Sequence, residues 1–385
     1  MRTFQGYRRG DGRVGVRNHV LVVSTISCAN HVATLIAQRT GTAVITHDVG
    51  CLQFAQDRAL TERTIFGAGM SPNVGAVLFV GLGCEQTPTA EMARAITGKP
   101  ARHLLIQEAG GTTAAVAAGV DTVRELQRLT AGQERVRCEV AELCVSLKCG
   151  GSDFTTAIAS NPAVGVAVDF LVEAGGTALL TETPGFPGSE HILARQARTP
   201  EVARRIYQIV DAYRDEIRTR FNRNVNDGNP SPGNVAGGIT TLIEKSLGTI
   251  KKAGKHPIEG VLEFAEDVLG KKGVWIMDTP GHDVFSVSGP AAGGAHINLF
   301  TTGRGTPLGN AICPVLKICG NPESFRRLNE NMDLDAGTIM LGSRSVEEVG
   351  REIFEAVVRV AGGEPTKAEL LEHREFAIPR LGSTL

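Results

Sequence analysis

The chain has 385 residues with 40 Lys+Arg against 41 Asp+Glu, a length that suggests two domains with room for a buried core. The near-neutral balance gives no global pull toward nucleic acid or a membrane surface, so neither is expected as a partner. The N-terminal MRTFQGYRRGDGR has no apolar signal region and no apolar run spans a bilayer, so the expected compartment is the cytoplasm.

Apolar runs alternate with helical patterns from residue 19 onward. HVLVVST (19–25) reads as a strand, 29–39 as a helix, AVITH (43–47) as a strand and 57–68 as a helix. GAVLFVGLG (75–83), a helix near 88–97, RHLLIQE (102–108) and a helix over 111–130 continue the pattern. That rhythm predicts a parallel sheet with crossover helices. The polar stretch 130–137 marks a boundary, dividing the chain into an N-terminal α/β domain (1–133) and a C-terminal α/β domain (134–385). In the second unit, strands are predicted at 138–149, 177–183, 273–279, 295–302 and 337–343, with a long charged helix over 200–222. The Asn-, Gly- and Pro-rich segment 222–241 reads as a functional or mobile loop, and the lysine-rich 249–257 as a solvated linker. The fold class expected is α/β: two units with mainly parallel sheets, Rossmann-like topology and the active site at strand carboxyl ends.

Eight cysteines in a large chain without a signal region read as thiols or metal ligands rather than disulfides, and none forms a CxxC pair. Cys28, Cys51 and Cys84 each follow one of three successive strands, and His47 closes the second of them. A lone cysteine is more often a small buried hydrophobe than a ligand. Three at consecutive strand ends point instead to a thiolate-rich metal site, suited to zinc, copper(I) or iron. GLGCEQ follows a strand and precedes a helix, but it lacks the third glycine of a dinucleotide fingerprint. In the second unit, VSLKCGGSDFTT ends a strand on Cys149. Gly150 and Gly151 allow close backbone approach, and Ser152 or Asp153 can cap the next helix, which makes an anion site; an ordinary Gly-Gly turn is the bland alternative. Glu182, His191 and Asp278 fall at or just after other strand ends, as do Thr302, Gly303 and Arg304 in the glycine-rich FTTGRGTPLGN. An arginine among glycines and hydroxyls suits a carboxylate, although each such residue alone also reads as an exposed loop position.

GYRRGDGRVGVRNHVLV, GCLQF, NVGAVLFVGLGCE, KCGGSD, NPAVG, GNVAGGITTLIEKSLG, MDTPG and FTTGRGTPLGN together resemble the altronate/galactarate dehydratase family over nearly the whole chain. The resemblance implies an iron-dependent hydro-lyase that converts a sugar acid to a 2-keto-3-deoxy acid. It implies iron at Cys28, Cys51, Cys84 and Cys149 with His47 as a further ligand, as an iron–sulfur cluster or as mononuclear iron(II). Substrate would rest on Gly150, Gly151, Ser152, Asp153, Thr302, Gly303 and Arg304, with His191, then Glu182, as base. The chain starts directly at GYRR, so the resemblance implies a large subunit that works with a small SAF-type subunit, in a homo-oligomer. The (2R)-sulfolactate sulfo-lyase large subunit is similar too. Cys51 and Cys84, expected to lack matches in that branch, favour the dehydratase. A nicotinamide-dependent oxidoreductase and a non-catalytic scaffold are the remaining alternatives.

Overall fold

The computed structural model describes residues 2–382. Fourteen strands are named among them: β1 (Thr3–Arg8), β2 (Val14–Gly15), β3 (His19–Ser24), β4 (Ala43–Ile45), β5 (Val74–Gly81), β6 (Ala101–Leu105), β7 (Val136–Glu139), β8 (Cys144–Cys149), β9 (Thr177–Leu180), β10 (Ile258–Leu262), β11 (Gly273–Met277), β12 (Ile297–Thr302), β13 (Val315–Cys319) and β14 (Leu334–Asp335). They form a four-stranded sheet in the order β4-β3-β5-β6, a seven-stranded sheet in the order β10-β11-β9-β8-β12-β13-β14, and a small sheet in the order β2-β1-β7. Every pairing in the two larger sheets is parallel. β5 and β8 are buried along their whole length, as expected where helices cover both faces.

The expected α/β architecture is present, with corrections. The run 138–149 is not one strand: β7 ends at Glu139, a short helical turn spans Val140–Glu142, and β8 begins at Cys144. Glu139 and Glu142 cap that turn reciprocally, which breaks the extended run. β7 pairs antiparallel with β1, so the predicted boundary region is tied to the chain start. Segment 337–343 contains a helical turn (Gly337–Met340), not a strand; β14 precedes it, and Asp335 Oδ1 accepts the Gly337 N–H at 2.8 Å to start the turn. β10 and β13 were not foreseen. The loop 222–241 holds a short helix, Pro232–Ala236, opened by a Ser231–Asn234 capping box. Within 249–257, Ile250 and Ala253 are buried and Lys252 is fully so, which is the opposite of a solvated linker.

The two units pack directly on each other. Helix Ala55–Met70 of the first lies against helix Asp283–Ala292 of the second, and a Cβ at Gly67 would stand 2.5 Å from the Ala292 carbonyl oxygen. Asn73, fully buried, donates to the carbonyls of His296 and Ile312 at 2.9 and 3.0 Å. These contacts lie at the amino ends of β12 and β13, while the first half of helix Ala55–Met70, with Gln56 and Arg63, reaches the carboxyl edge of the seven-stranded sheet near Glu182 and Asp278. In that sheet β8 lies between β9 and β12, so the chain reverses its direction of progression there, the usual place for a ligand crevice.

Candidate active site

Lys148 lies in β8 with its side chain 1% exposed, beside Leu147 and Cys149. An ammonium buried in an apolar strand needs a partner. It has three: Glu182 Oε1 at 2.5 Å, the Gly281 carbonyl at 2.9 Å and Asp283 Oδ1 at 3.1 Å. Glu182, just past β9, receives on Oε2 the Cys149 backbone N–H and the Lys252 ammonium, both at 2.8 Å. Its backbone adopts a left-handed φ of 72°, which is costly for a non-glycine residue and is held here by the Glu182 N–H bond to Thr279 Oγ1 at 2.9 Å. Burial would raise the Glu182 pKa, but the charges and hydrogen bonds of Lys148 and Lys252 outweigh that and hold it below the ordinary carboxylate range. Burial likewise opposes charge on both lysines; for Lys148 the Glu182 and Asp283 carboxylates outweigh it, and the Lys252 ammonium is favoured as well. Cys149 completes the knot, with Sγ 3.8 Å from Glu182 Oε1 and 3.7 Å from Thr249 Oγ1.

Beside this knot opens a cleft of about 870 Å³ between the two units. Glu182, Lys245, Thr249 and Asp278 line one side; Gln56 and Arg63 of helix Ala55–Met70, with Arg380 of the C-terminal segment, contribute to the other. Lys245 Nζ donates to Asn229 Oδ1 at 2.7 Å and to Asn234 Oδ1 at 3.0 Å. Both amides are oriented by their own donors, Asn229 Nδ2 to the Pro184 carbonyl and Asn234 Nδ2 to the Ser152 carbonyl. Burial pushes the Lys245 pKa down from 10.5. Two acceptors satisfy the two N–H bonds of a neutral amine and leave its lone pair free. Asp278 is pushed the other way: burial raises its pKa, even though Thr183 Oγ1 donates to Oδ1 at 2.5 Å. A depressed lysine and an elevated carboxyl in one cleft are the pattern of a base and an acid.

The expected anion loops do come together. Arg304 N–H donates to the Gly151 carbonyl at 2.8 Å and Gly303 N–H to the same oxygen at 3.3 Å. Gly150 has no room for a Cβ, which would lie 2.6 Å from Asp283 Oδ2 and from the Phe300 ring. Asp153 caps the next helix by accepting the Thr155 and Thr156 N–H groups at 2.9 and 3.1 Å, and its other oxygen takes Asn321 Nδ2 at 3.1 Å. Ser152 is buried, and its carbonyl is spent on Asn234. Thr302 Oγ1 accepts the Gly305 N–H, and the exposed Arg304 reaches the Gly233 carbonyl at 3.1 Å. These residues therefore hold the loops around Lys245 rather than lining the cleft.

Other expectations are corrected. His191 is exposed on helix Glu190–Gln196, whose buried face is Glu190 and Leu193, and it lines no part of the cleft. Glu182 is engaged by two ammonium groups, and its lowered pKa makes it a weak base. Cys28, Cys51 and Cys84 lie on neighbouring loops: Ser27 N–H bonds the Val49 carbonyl at 2.8 Å, and Gln53 N–H bonds Gln86 Oε1 at 2.9 Å. Cys28 and Cys84 are exposed and Cys51 half-buried. His47 is buried, with Nδ1 3.3 Å from the Val49 N–H and Nε2 without a hydrogen-bond partner among the described residues. Among the described residues, no three His, Cys, Asp or Glu side chains are grouped to hold a metal ion. Cys149 offers no better start, because its carboxylate neighbour already faces Lys148 and Lys252 and a cation would meet both. The arrangement does not fit the expected iron. Lys148, Lys245 and Lys252 were not anticipated; a lysine inside an apolar strand was the available signal for the first.

The family description "D-galactarate dehydratase/Altronate hydrolase, second domain" matches residues 6–130, and "D-galactarate/Altronate dehydratase, C-terminal" matches residues 140–384. The chain belongs to the D-galactarate/altronate dehydratase family. Among its relatives, the (2R)-sulfolactate sulfo-lyase subunit beta of Chromohalobacter salexigens is 38% identical, covering 99% of this chain and 98% of that one. An altronate dehydratase of Bacillus subtilis is 37% identical over 100% of this chain and 79% of its own. The galactarate dehydratase (L-threo-forming) of Escherichia coli is 32% identical, covering 94% and 73%. Lys245 and Asp278 of the cleft lie within the residues matched by the C-terminal family description, and Gln56 and Arg63 within those matched by the second-domain description.

Proposed function

We propose that the protein is a lyase that removes water from a hydroxylated sugar acid of the altronate or galactarate type, giving a 2-keto-3-deoxy acid. The observation that carries this reading is an amine and a carboxyl lining one cleft of a chain in this family, Lys245 held by the Asn229 and Asn234 amide oxygens and Asp278 by the Thr183 hydroxyl. In this scheme neutral Lys245 takes the C2 proton, and the released electron pair forms the C2–C3 double bond. The C3–O bond breaks, the leaving hydroxide takes the Asp278 proton as water, and the enol tautomerises to the 2-keto acid. The charges of Lys148 and Lys252 are balanced by Glu182 and Asp283, so this knot holds the cleft wall beside Lys245 and Asp278 and no step is assigned to it. Among the described residues no group of ligands for iron is assembled, and no step is assigned to it.

A second reading, elimination of sulfite from sulfolactate, is favoured by the near-complete mutual coverage with the sulfo-lyase subunit beta. That relative's designation as a subunit also supports a small partner chain for this protein. The SAF-type subunit expected from the resemblance is our choice of partner, and the cytoplasm our choice of compartment; no described helix is long and apolar enough to cross a membrane. The test is a product assay on altronate, galactarate and (2R)-sulfolactate, with and without the small subunit. A 2-keto-3-deoxy acid from a sugar acid supports the first reading and sulfite release the second. Neither product under either condition removes both.

A further inference from the structure

We propose that Lys245 is a carbonyl nucleophile as well as a base: it condenses with a 2-keto acid bound in the cleft, forming a protonated imine and releasing water. This rests on the lyase reading for the place of Lys245 at C2, but it adds a covalent step and a second activity. A base that takes the proton from C2 stands within bonding reach of that carbon. Once the enol has become the ketone, the same nitrogen faces an electrophilic carbonyl. The lysines of the site differ in their partners. Lys148 and Lys252 are fixed as ammonium groups by Glu182 at 2.5 and 2.8 Å. Lys245 lines the cleft and has no carboxylate within ion-pair distance among the described residues; its two partners are neutral amide oxygens.

The surroundings accommodate the change at nitrogen. An iminium nitrogen keeps one N–H where the neutral amine had two, so one asparagine must give up its bond. Asn229 Oδ1, the closer at 2.7 Å, can keep it. Asn234 Oδ1 is not stranded when released, because it also accepts the Ser231 N–H and hydroxyl, each at 3.0 Å. In the addition, the Nζ lone pair forms the N–C2 bond, and the carbonyl oxygen becomes a hydroxyl with a proton from that nitrogen. The nitrogen lone pair then expels the hydroxyl, which leaves as water with the proton of Asp278 on the same cleft wall. The Asp278 carboxylate so formed takes a C3 proton from the iminium, giving an enamine. Return of a proton and hydrolysis restore the 2-keto acid and the free amine, and no oxidant or reductant enters. Burial of Lys245, which disfavours its ammonium form, supports the neutral amine that the addition needs.

The experiment treats the full chain with pyruvate, a 2-keto acid with no hydroxyl to eliminate, and sodium cyanoborohydride, which reduces an imine to a stable secondary amine. Peptide mass spectrometry should place one reduced adduct on Lys245, formed about tenfold or more faster than on the exposed Lys255. This measurement needs no variant and so does not depend on how one folds. Without reductant, in D2O, the chain should exchange the methyl protons of pyruvate for deuterium through the enamine. Lys245→Met should slow that exchange by about tenfold or more, with its unfolding temperature close to the parent's. No adduct on Lys245, adducts spread evenly over exposed lysines, or exchange undiminished in Lys245→Met would overturn the proposal. Elimination from a sugar acid that depends on Lys245 without any adduct would remove the proposal and leave the lyase reading. An adduct on Lys245 in a chain that eliminates nothing would leave the proposal standing and remove the lyase reading instead.

Discussion

Replacing Glu182 by Gln strips the only carboxylate that Lys252 touches among the described residues and the shorter of the two carboxylate contacts of Lys148. Both ammonium groups are at most 1% exposed, so solvent cannot replace the lost partner. Removing one member of a buried ion pair costs about 3–5 kcal/mol, most of it the penalty of the stranded charge. Unfolding entropy of roughly 2.1 cal/mol/K per residue over this chain puts the expected fall in unfolding temperature at about 4–6 °C. Calorimetry at pH 7 should show it. Adding Lys252→Met should recover a substantial part, because a methionine fills similar volume without a charge to strand. The acid limb carries a second signature: the Glu182 pKa is depressed on folding, so its contribution is complete above about 4.5 and is lost as pH falls toward the lower folded value. Glu182→Gln should flatten that part of the stability profile. An unfolding temperature within about 1 °C of the unaltered protein, or no recovery in the double variant, would refute the electrostatic reasoning.

Other outcomes follow from the same geometry. Lys245→Met should lower kcat/KM by about 10²-fold or more, the usual scale for a lost general base; Lys245→Arg should not rescue it, because a guanidinium stays protonated. The pH profile of kcat/KM should gain activity as Lys245 loses its proton below the ordinary lysine value of 10.5 and lose it as Asp278 ionises above its ordinary 3.8, with Asp278→Asn removing the latter dependence. Lys317, fully buried in β13 with its ammonium on the Pro307 and Leu308 carbonyls, is pushed down to about 8 by burial. Its charged form is disfavoured in the fold. Stability should therefore rise with pH between about 8 and 10.5, by on the order of 3 kcal/mol, and Lys317→Met should abolish that rise in chemical denaturation.

The parallel sheets and the strand ends that carry Cys149, Glu182 and Asp278 were legible because apolar runs of strand length alternate with helical periodicity. The antiparallel pairing of β1 with β7 was not, since more than a hundred residues separate Phe4 from Cys138 and no local pattern reports that register. Site residues divided along similar lines. Gly150 to Asp153 and Thr302 to Arg304 were found as one neighbourhood, yet their role in holding Lys245 depends on Asn234, on a loop read only as irregular. Lys252 was misjudged because a charge run usually faces water; here a helix-to-turn transition inserts it beside Glu182. Cys28, Cys51 and Cys84 share the edge predicted for them, but strand-end position fixes neither the depth nor the direction of a side chain.

The most direct test of the central claim is NMR of a hydroxy-acid substrate in D2O with the complete enzyme and its Lys245→Met variant. Elimination through C2 deprotonation predicts a 2-keto-3-deoxy acid with solvent deuterium at C3, formed about 10²-fold or more slowly by the variant while its unfolding temperature stays close to that of the parent. Product formed at the parent rate by Lys245→Met, or product without deuterium at C3, would contradict the account.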